Sequence, residues 1–166
     1  MELWDAYTEK GELIKGMTLV RDEPRPAGVF HIVCEIIVRR KNGEYLLMQR
    51  DPRKTFGGMW EASAGGSVLR GEDALAGAKR ELFEETGIRA EDLTDLGRVV
   101  APETGSIYAE FLCETDWPKD GIVLQEGETA AYRWVTGDEL KNMSKSELVT
   151  NRIQNFIDEL RPSGGR

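Results

Sequence analysis

The chain has 166 residues, 40% of them hydrophobic and 31% charged, with a formal net charge of −8. That length and composition suit one globular domain over residues 1–166 with a sizeable core. The acidic balance argues against a broad duplex-DNA surface, which needs a basic patch, but leaves room for a nucleotide whose charge is met by bound cations. Leu3 to Tyr7 and Leu13 to Val20 read as short strands around the turn-like Thr8-Glu9-Lys10-Gly11, an N-terminal β-hairpin. Residues 21–28, RDEPRPAG, are a loop. Val29 to Arg39 is a rich β stretch. Asn42-Gly43 then signals a hairpin turn, because both residues tolerate positive φ, and Tyr45 to Gln49 returns as the partner strand.

Asp51 to Gly58 reads as a charged loop and Glu61 to Val68 as extended chain. A helix begins at Glu72 or Asp73, with Asp73 as N-cap. Leu75, Ala78 and Leu82 recur at helical spacing as its buried stripe, and Gly87 stops it. Gly77 inside this helix costs about 1 kcal/mol against alanine, and close packing is one reason to keep it. Leu96 to Val100, Ile107 to Thr115 and Ala130 to Val135 read as strands. A second helix is expected over Lys145 to Leu160, with Leu148, Ile153, Phe156, Ile157 and Leu160 on its apolar side. A frayed tail follows, flexible over about residues 162–166. Strands dominate, with one helix in mid-chain and one at the end, so the fold class is an α/β sandwich with a mixed sheet.

The chemistry concentrates between Gly66 and Ile88, GSVLRGEDALAGAKRELFEETGI. On a helix, Glu81, Glu84 and Glu85 fall on one side, with Arg80 beside them. Carboxylates so close repel by about a few tenths of a kcal/mol per pair. A hard divalent cation binds oxygen ligands and cancels that repulsion, which suits chemistry on phosphates. A solvated acidic helix face is the alternative. Cys34 and Cys113 sit in apolar runs without C-x-x-C spacing, so buried reduced thiols are expected. His31 is the only histidine, and nothing else supports a Ser-His or Cys-His pair. The polar start and the lack of any membrane-length apolar run point to a cytoplasmic protein with no membrane contact.

The same segment resembles the Nudix box, G-x5-E-x7-R-E-U-x-E-E-x-G-U, where U is a bulky aliphatic residue. Gly66, Glu72, Arg80, Glu81, Leu82, Glu84, Glu85, Gly87 and Ile88 all fall in place. By a weaker resemblance, the WDAY hairpin, His31 and the LLMQRDPRKTFGGMWEASAGG run are similar to the branch related to isopentenyl diphosphate isomerase. The resemblance implies a Nudix-type α/β/α sandwich with a central mixed sheet. It implies hydrolysis of a diphosphate linkage in a small, nucleotide-derived molecule, with Mg2+ or Mn2+ as cofactor. Homodimers are common in that family. The implied metal ligands are Glu81, Glu84, Glu85 and a Gly65 carbonyl, with Glu72 reaching the metal through water. Arg80 would hold a box glutamate in place, and Glu81 would also orient water. For a general base the resemblance points to a further glutamate ahead of the Trp134 strand. Glu128 is better placed than Glu126 or Glu103.

Arg50, Arg53 and Lys54 are candidates to hold a phosphate, with a plain charged loop as the alternative. Phe56, Trp60 and Tyr132 could stack on a base, but core packing is the simpler reading. Two other functions compete. An isomerase of the related branch would carry a cysteine in the tract after Trp60 and a histidine-rich metal site, and its box would be degenerate. Here Trp60 to Gly65 has no cysteine, only His31 is present and the box is intact. A non-catalytic nucleotide-binding module would commonly lose box carboxylates, which this chain keeps.

Overall fold

The computed structural model describes residues 1–150 and 152–159. In chain order the strands are β1 (Leu3–Tyr7), β2 (Leu13–Val20), β3 (His31–Arg40), β4 (Tyr45–Arg50), β5 (Trp60–Glu61), β6 (Ala64–Ser67), β7 (Thr94–Ala101), β8 (Ser106–Thr115) and β9 (Thr129–Val135). The helices are α1 (Ala74–Thr86), between β6 and β7, and α2 (Gly137–Asn142) and α3 (Arg152–Glu159), after β9.

Strand β3 is the spine of a seven-stranded mixed sheet among the described residues. It pairs in parallel with β8 from His31↔Ser106 to Arg40↔Thr115, and β7 closes that edge antiparallel. Its other edge carries β6, antiparallel from Val33↔Ser67 to Ile36↔Ala64. It also meets β4 at Arg39↔Tyr45, and β4 in turn holds β5 and β9. β1 and β2 form the separate N-terminal hairpin.

The two-residue period of the strands divides the apolar side chains between two layers. Ile32, Cys34, Ile36 and Val38 of β3 join Leu46, Met48, Ile107 and Phe111 in a core against Ala78 and Leu82 of α1. Ile37, Leu47 and Leu112 face the other way, onto Leu140 of α2 and Ile153, Phe156 and Ile157 of α3. Helices thus cover both faces, as the α/β/α sandwich requires. Among the described residues no helix is long and apolar enough to cross a membrane.

Local chemistry sets the bounds of α1. The Asp73 side chain accepts from Ala76 N–H at 2.7 Å, and Gly87 ends the helix in the left-handed conformation at φ 77. The buried side runs through Ala74, Gly77, Ala78, Leu82 and Thr86. Leu75, expected in that stripe, is 40% exposed. The stripe begins one residue earlier, at Ala74. A β-carbon at Gly77 would lie 3.1 Å from the Val68 side chain, so the glycine lets the helix approach the chain just after β6 closely.

The C-terminal region differs from the expected helix over Lys145 to Leu160. Helix α3 starts at Arg152, and the preceding segment is recruited as an extended partner of Trp60. Trp60 N–H donates to Glu147 O and Val149 N–H to Trp60 O, both at 2.8 Å. Leu148 is buried there rather than on a helix face. Helix α2 was not anticipated, although Thr136-x-x-Glu139 forms a capping box at its start. Leu160 and the expected tail lie outside the described residues.

Candidate functional site

Antiparallel β6 brings Gly65 and Gly66 alongside Cys34 and Glu35 of β3, and the chain then turns into α1. This places the glycine backbone against the carboxylate side of the helix. A β-carbon at Gly66 would lie 2.4 Å from the Glu81 carboxyl carbon, so that carboxylate occupies the space a side chain would fill. A β-carbon at Gly65 would meet the Cys34 carbonyl oxygen at 2.8 Å. Gly65 N–H donates to Glu85 Oε2 at 3.1 Å.

Arg80 organises the rest. Its Nε donates to Glu72 Oε1 at 2.8 Å, its Nη1 to Glu81 Oε1 at 2.7 Å and to Glu84 Oε2 at 3.3 Å, and its Nη2 to Ser67 O at 3.1 Å. Glu72 also accepts from Leu69 N–H at 3.0 Å, which pins the loop ahead of the helix. The guanidinium holds the Glu72 carboxyl below its usual range, and Glu72 in turn tightens the hold of Arg80 on its proton.

Two carboxyls of the group are pushed the other way. Burial raises Glu81, against the pull of Arg80. Burial, then the charge of Glu81, pushes Glu85 up to about 8, partly offset by the Gly65 N–H. These groups line a cleft of about 1050 Å³. Among the described residues no three His, Cys, Asp or Glu side chains converge on one ion-sized point. Glu81, Glu84 and Glu85 share the cleft, while Arg80 engages the first two and the β6 backbone the third. The donor set still fits a hard divalent cation: carboxylate oxygens, a glycine strand open to close approach, and crowded like charges that favour cation binding.

The facing wall carries residues that sequence reasoning passed over. Glu61 of β5 takes both oxygens to Arg50 Nη1, at 3.1 and 3.0 Å. Glu35 of β3 accepts from Arg152 of α3 at 2.9 Å. Burial raises both carboxyls, opposed by those arginines. A charged residue inside the apolar run VFHIVCEIIV was the available signal for Glu35. Glu128 does line the cleft, ion-paired to Lys54, and its carbonyl accepts from Asp51 N–H at 3.0 Å. Glu103 and Glu126 are exposed and line no part of it.

Among the phosphate candidates, Arg50 and Lys54 line the cleft, whereas Arg53 turns away onto Asp51 at 2.7 Å. Trp60 and Tyr132 pack against the two cores, and Phe56 is exposed on its loop. His31 is buried in a stack with Trp4, centroids 4.3 Å apart, and falls to about 4 through burial and the nearby Arg25. It takes no part in the cleft lining.

A sandwich with a glycine strand facing an R-E-x-x-E-E helix defines a Nudix fold, and known proteins agree. A Deinococcus radiodurans protein, DR0079, superposes with a TM-score of 0.76 at 19% identity, covering 97% of this chain and 100% of that one. The chain belongs to the Nudix family, whose NUDIX domain model matches residues 29–159. A Nudix hydrolase of Listeria monocytogenes, lmo0368, is 33% identical over 152 residues, 88% of this chain and 86% of its own. The Nudix hydrolase YfcD of Escherichia coli is 30% identical over 139 residues, 82% of this chain and 74% of its own. Family and relatives together make the protein a Nudix pyrophosphohydrolase, of a class that generally uses divalent metals and small-molecule substrates.

Proposed function

We propose that the protein hydrolyses the diphosphate linkage of a nucleotide-derived small molecule by water attack at phosphorus, with Mg2+ or Mn2+ as cofactor. The observation that carries this reading is the Glu81 carboxylate seated in the space of a Gly66 side chain, with Glu85 half-buried beside it and accepting from the Gly65 N–H. Glu81, Glu84, Glu85 and the Gly65 carbonyl would hold the ion, with Glu72 supporting through water. When bound, the ion supplies Lewis acidity toward water and neutralises charge on the diphosphate.

The chain's own groups do the rest. Arg80 fixes the orientation of Glu81 and Glu84 and keeps Glu72 on the loop, as ligand geometry requires. Lys54 and Arg50 stand across the cleft, where they would take phosphate oxygens. Glu128 would accept the proton of the attacking water once Lys54 turns from it to the substrate. In-line positioning and charge stabilisation supply most of the barrier lowering for displacement at phosphorus.

A Mg2+-dependent assay over nucleotide sugars, dinucleoside polyphosphates, ADP-ribose and coenzyme A tests this, with the released phosphate or nucleotide identified and a Glu85→Gln variant alongside. Turnover in the wild type and loss in the variant is the expected result. No metal-dependent turnover on any compound would favour a binding module instead.

A further inference from the structure

The arginine and lysine side chains of the cleft wall are almost all spoken for. Arg50 pairs with Glu61, Lys54 with Glu128, Arg152 with Glu35, and Arg80 with three glutamates. On the hairpin side, Arg21 pairs with Glu2 at 3.1 Å. Arg70 is the exception. It lines the same cleft from the loop between β6 and α1, is exposed, and makes no ion pair among the described residues. Asp22 lines that wall too and does not engage it.

The backbone under Arg70 is fixed. Its N–H donates to Leu3 O at 2.8 Å, and Gly71 N–H donates to Asp5 Oδ2 at 2.8 Å. Gly71 sits at φ +81, a conformation that favours glycine. The N-terminal hairpin thus clamps the box loop from the side, leaving one guanidinium held at its base and free at its tip. A pinned, unpaired guanidinium at the edge of a substrate cleft is organised for an anion, which it can take through paired N–H donors. The cleft volume of about 1050 Å³ is at the upper end of the roughly 300–1,000 Å³ usual for small-molecule sites. That leaves space beyond a diphosphate seated at the box.

We infer that Arg70 is a specificity residue that binds a further anionic group of the substrate, a phosphate or carboxylate beyond the scissile diphosphate. The preferred substrates are therefore diphosphate compounds bearing an additional negative charge on the hairpin side. This rests on the hydrolase reading and deepens it.

Matched compounds test it. ADP against ATP adds a phosphate, and UDP-glucose against UDP-glucuronate adds a carboxylate. The wild type should favour the more anionic member of at least one pair, and which pair responds identifies the anion. Arg70→Ala should remove that preference by raising KM for the anionic member about tenfold, the scale of a charge-assisted hydrogen bond. Its kcat should stay within about twofold, as for an interaction equal in ground and transition states. Arg70→Lys should restore part of the preference. An unchanged preference in Arg70→Ala, or no preference in the wild type, overturns the inference while leaving the hydrolase reading intact.

Calorimetry with pyrophosphate and tripolyphosphate in Mg2+ separates the two failures. If nothing is hydrolysed yet Arg70→Ala selectively weakens tripolyphosphate, the hydrolase reading fails and the anion subsite stands. If the variant weakens neither, the subsite fails as well.

Discussion

Helices α1 and α3 pack on opposite faces of one sheet. α3 presents Ile153, Phe156 and Ile157 to a core completed by Ile37, Leu47 and Leu112. α1 buries mostly small side chains, Ala74, Gly77, Ala78 and Thr86, with Leu82 the one large apolar residue, and leaves Leu75 and Phe83 40% and 42% exposed. What α1 lacks in apolar packing it replaces with the Arg80 lattice, which reaches Glu72, Glu81, Glu84 and Ser67. One helix is therefore held mainly by apolar burial, with a single arginine, Arg152 at its start, ion-paired to Glu35. The other is held close by glycine and by ionic contacts, so its packing and its chemistry depend on the same carboxylates.

The largest expected effect that separates them is catalytic. Glu81→Gln should lower kcat about 10²- to 10³-fold, as loss of charge stabilisation at phosphorus does, while far-UV circular dichroism stays unchanged. Phe156→Ala should do the reverse. It should cost about 3–5 kcal/mol in denaturant unfolding, as large-to-small core changes do, and leave turnover per folded molecule as it was.

Much of this contrast was legible in the sequence. Asp73 and Gly87 mark α1 because capping chemistry is local, and the strands follow a two-residue period that needs no knowledge of partners. The C-terminal region was not legible. Leu148 fits the helical stripe of Ile153 and Phe156 but is used instead beside Trp60, a contact made across the fold. The box carboxylates could be named from their spacing. Glu35 and Glu61 could not, because Arg152 lies 117 residues from Glu35 in the chain and Arg50 reaches Glu61 only once β4 and β5 pair.

The adjacent glycines sharpen the comparison further. Gly65→Ala drives a β-carbon against the Cys34 backbone carbonyl at 2.8 Å, so strand pairing must yield and about 1–3 kcal/mol of stability should be lost. For Gly66→Ala the nearest atoms are those at the end of the Glu81 side chain, at 2.4 Å. The melting midpoint should fall less than in Gly65→Ala while activity falls about tenfold or more, because a ligand displaced by about 1 Å loses its geometry. Melting curves and turnover measured together distinguish the two variants.

A smaller effect concerns pH. The Glu85 carboxyl rises from 4.5 to about 8 on folding. Its stabilising contribution is therefore full below about pH 4.5 and lost as pH rises through about 8. In metal-free buffer, Glu85→Gln should gain stability over the wild type as pH rises from about 4.5 to about 8, and the difference should vanish at pH 4. Phe156→Ala should show no such crossing. Metal binding to the wild type at pH 7 should release protons, because the ion binds the ionised carboxylate.

A Mn2+ titration followed by electron paramagnetic resonance, comparing the wild type with Glu81→Gln and Glu85→Gln, bears most directly on the α1 carboxylates as a cation site. Saturable binding by the wild type, weakened about tenfold or more in each variant, is the predicted result. Equal binding by all three proteins would contradict it.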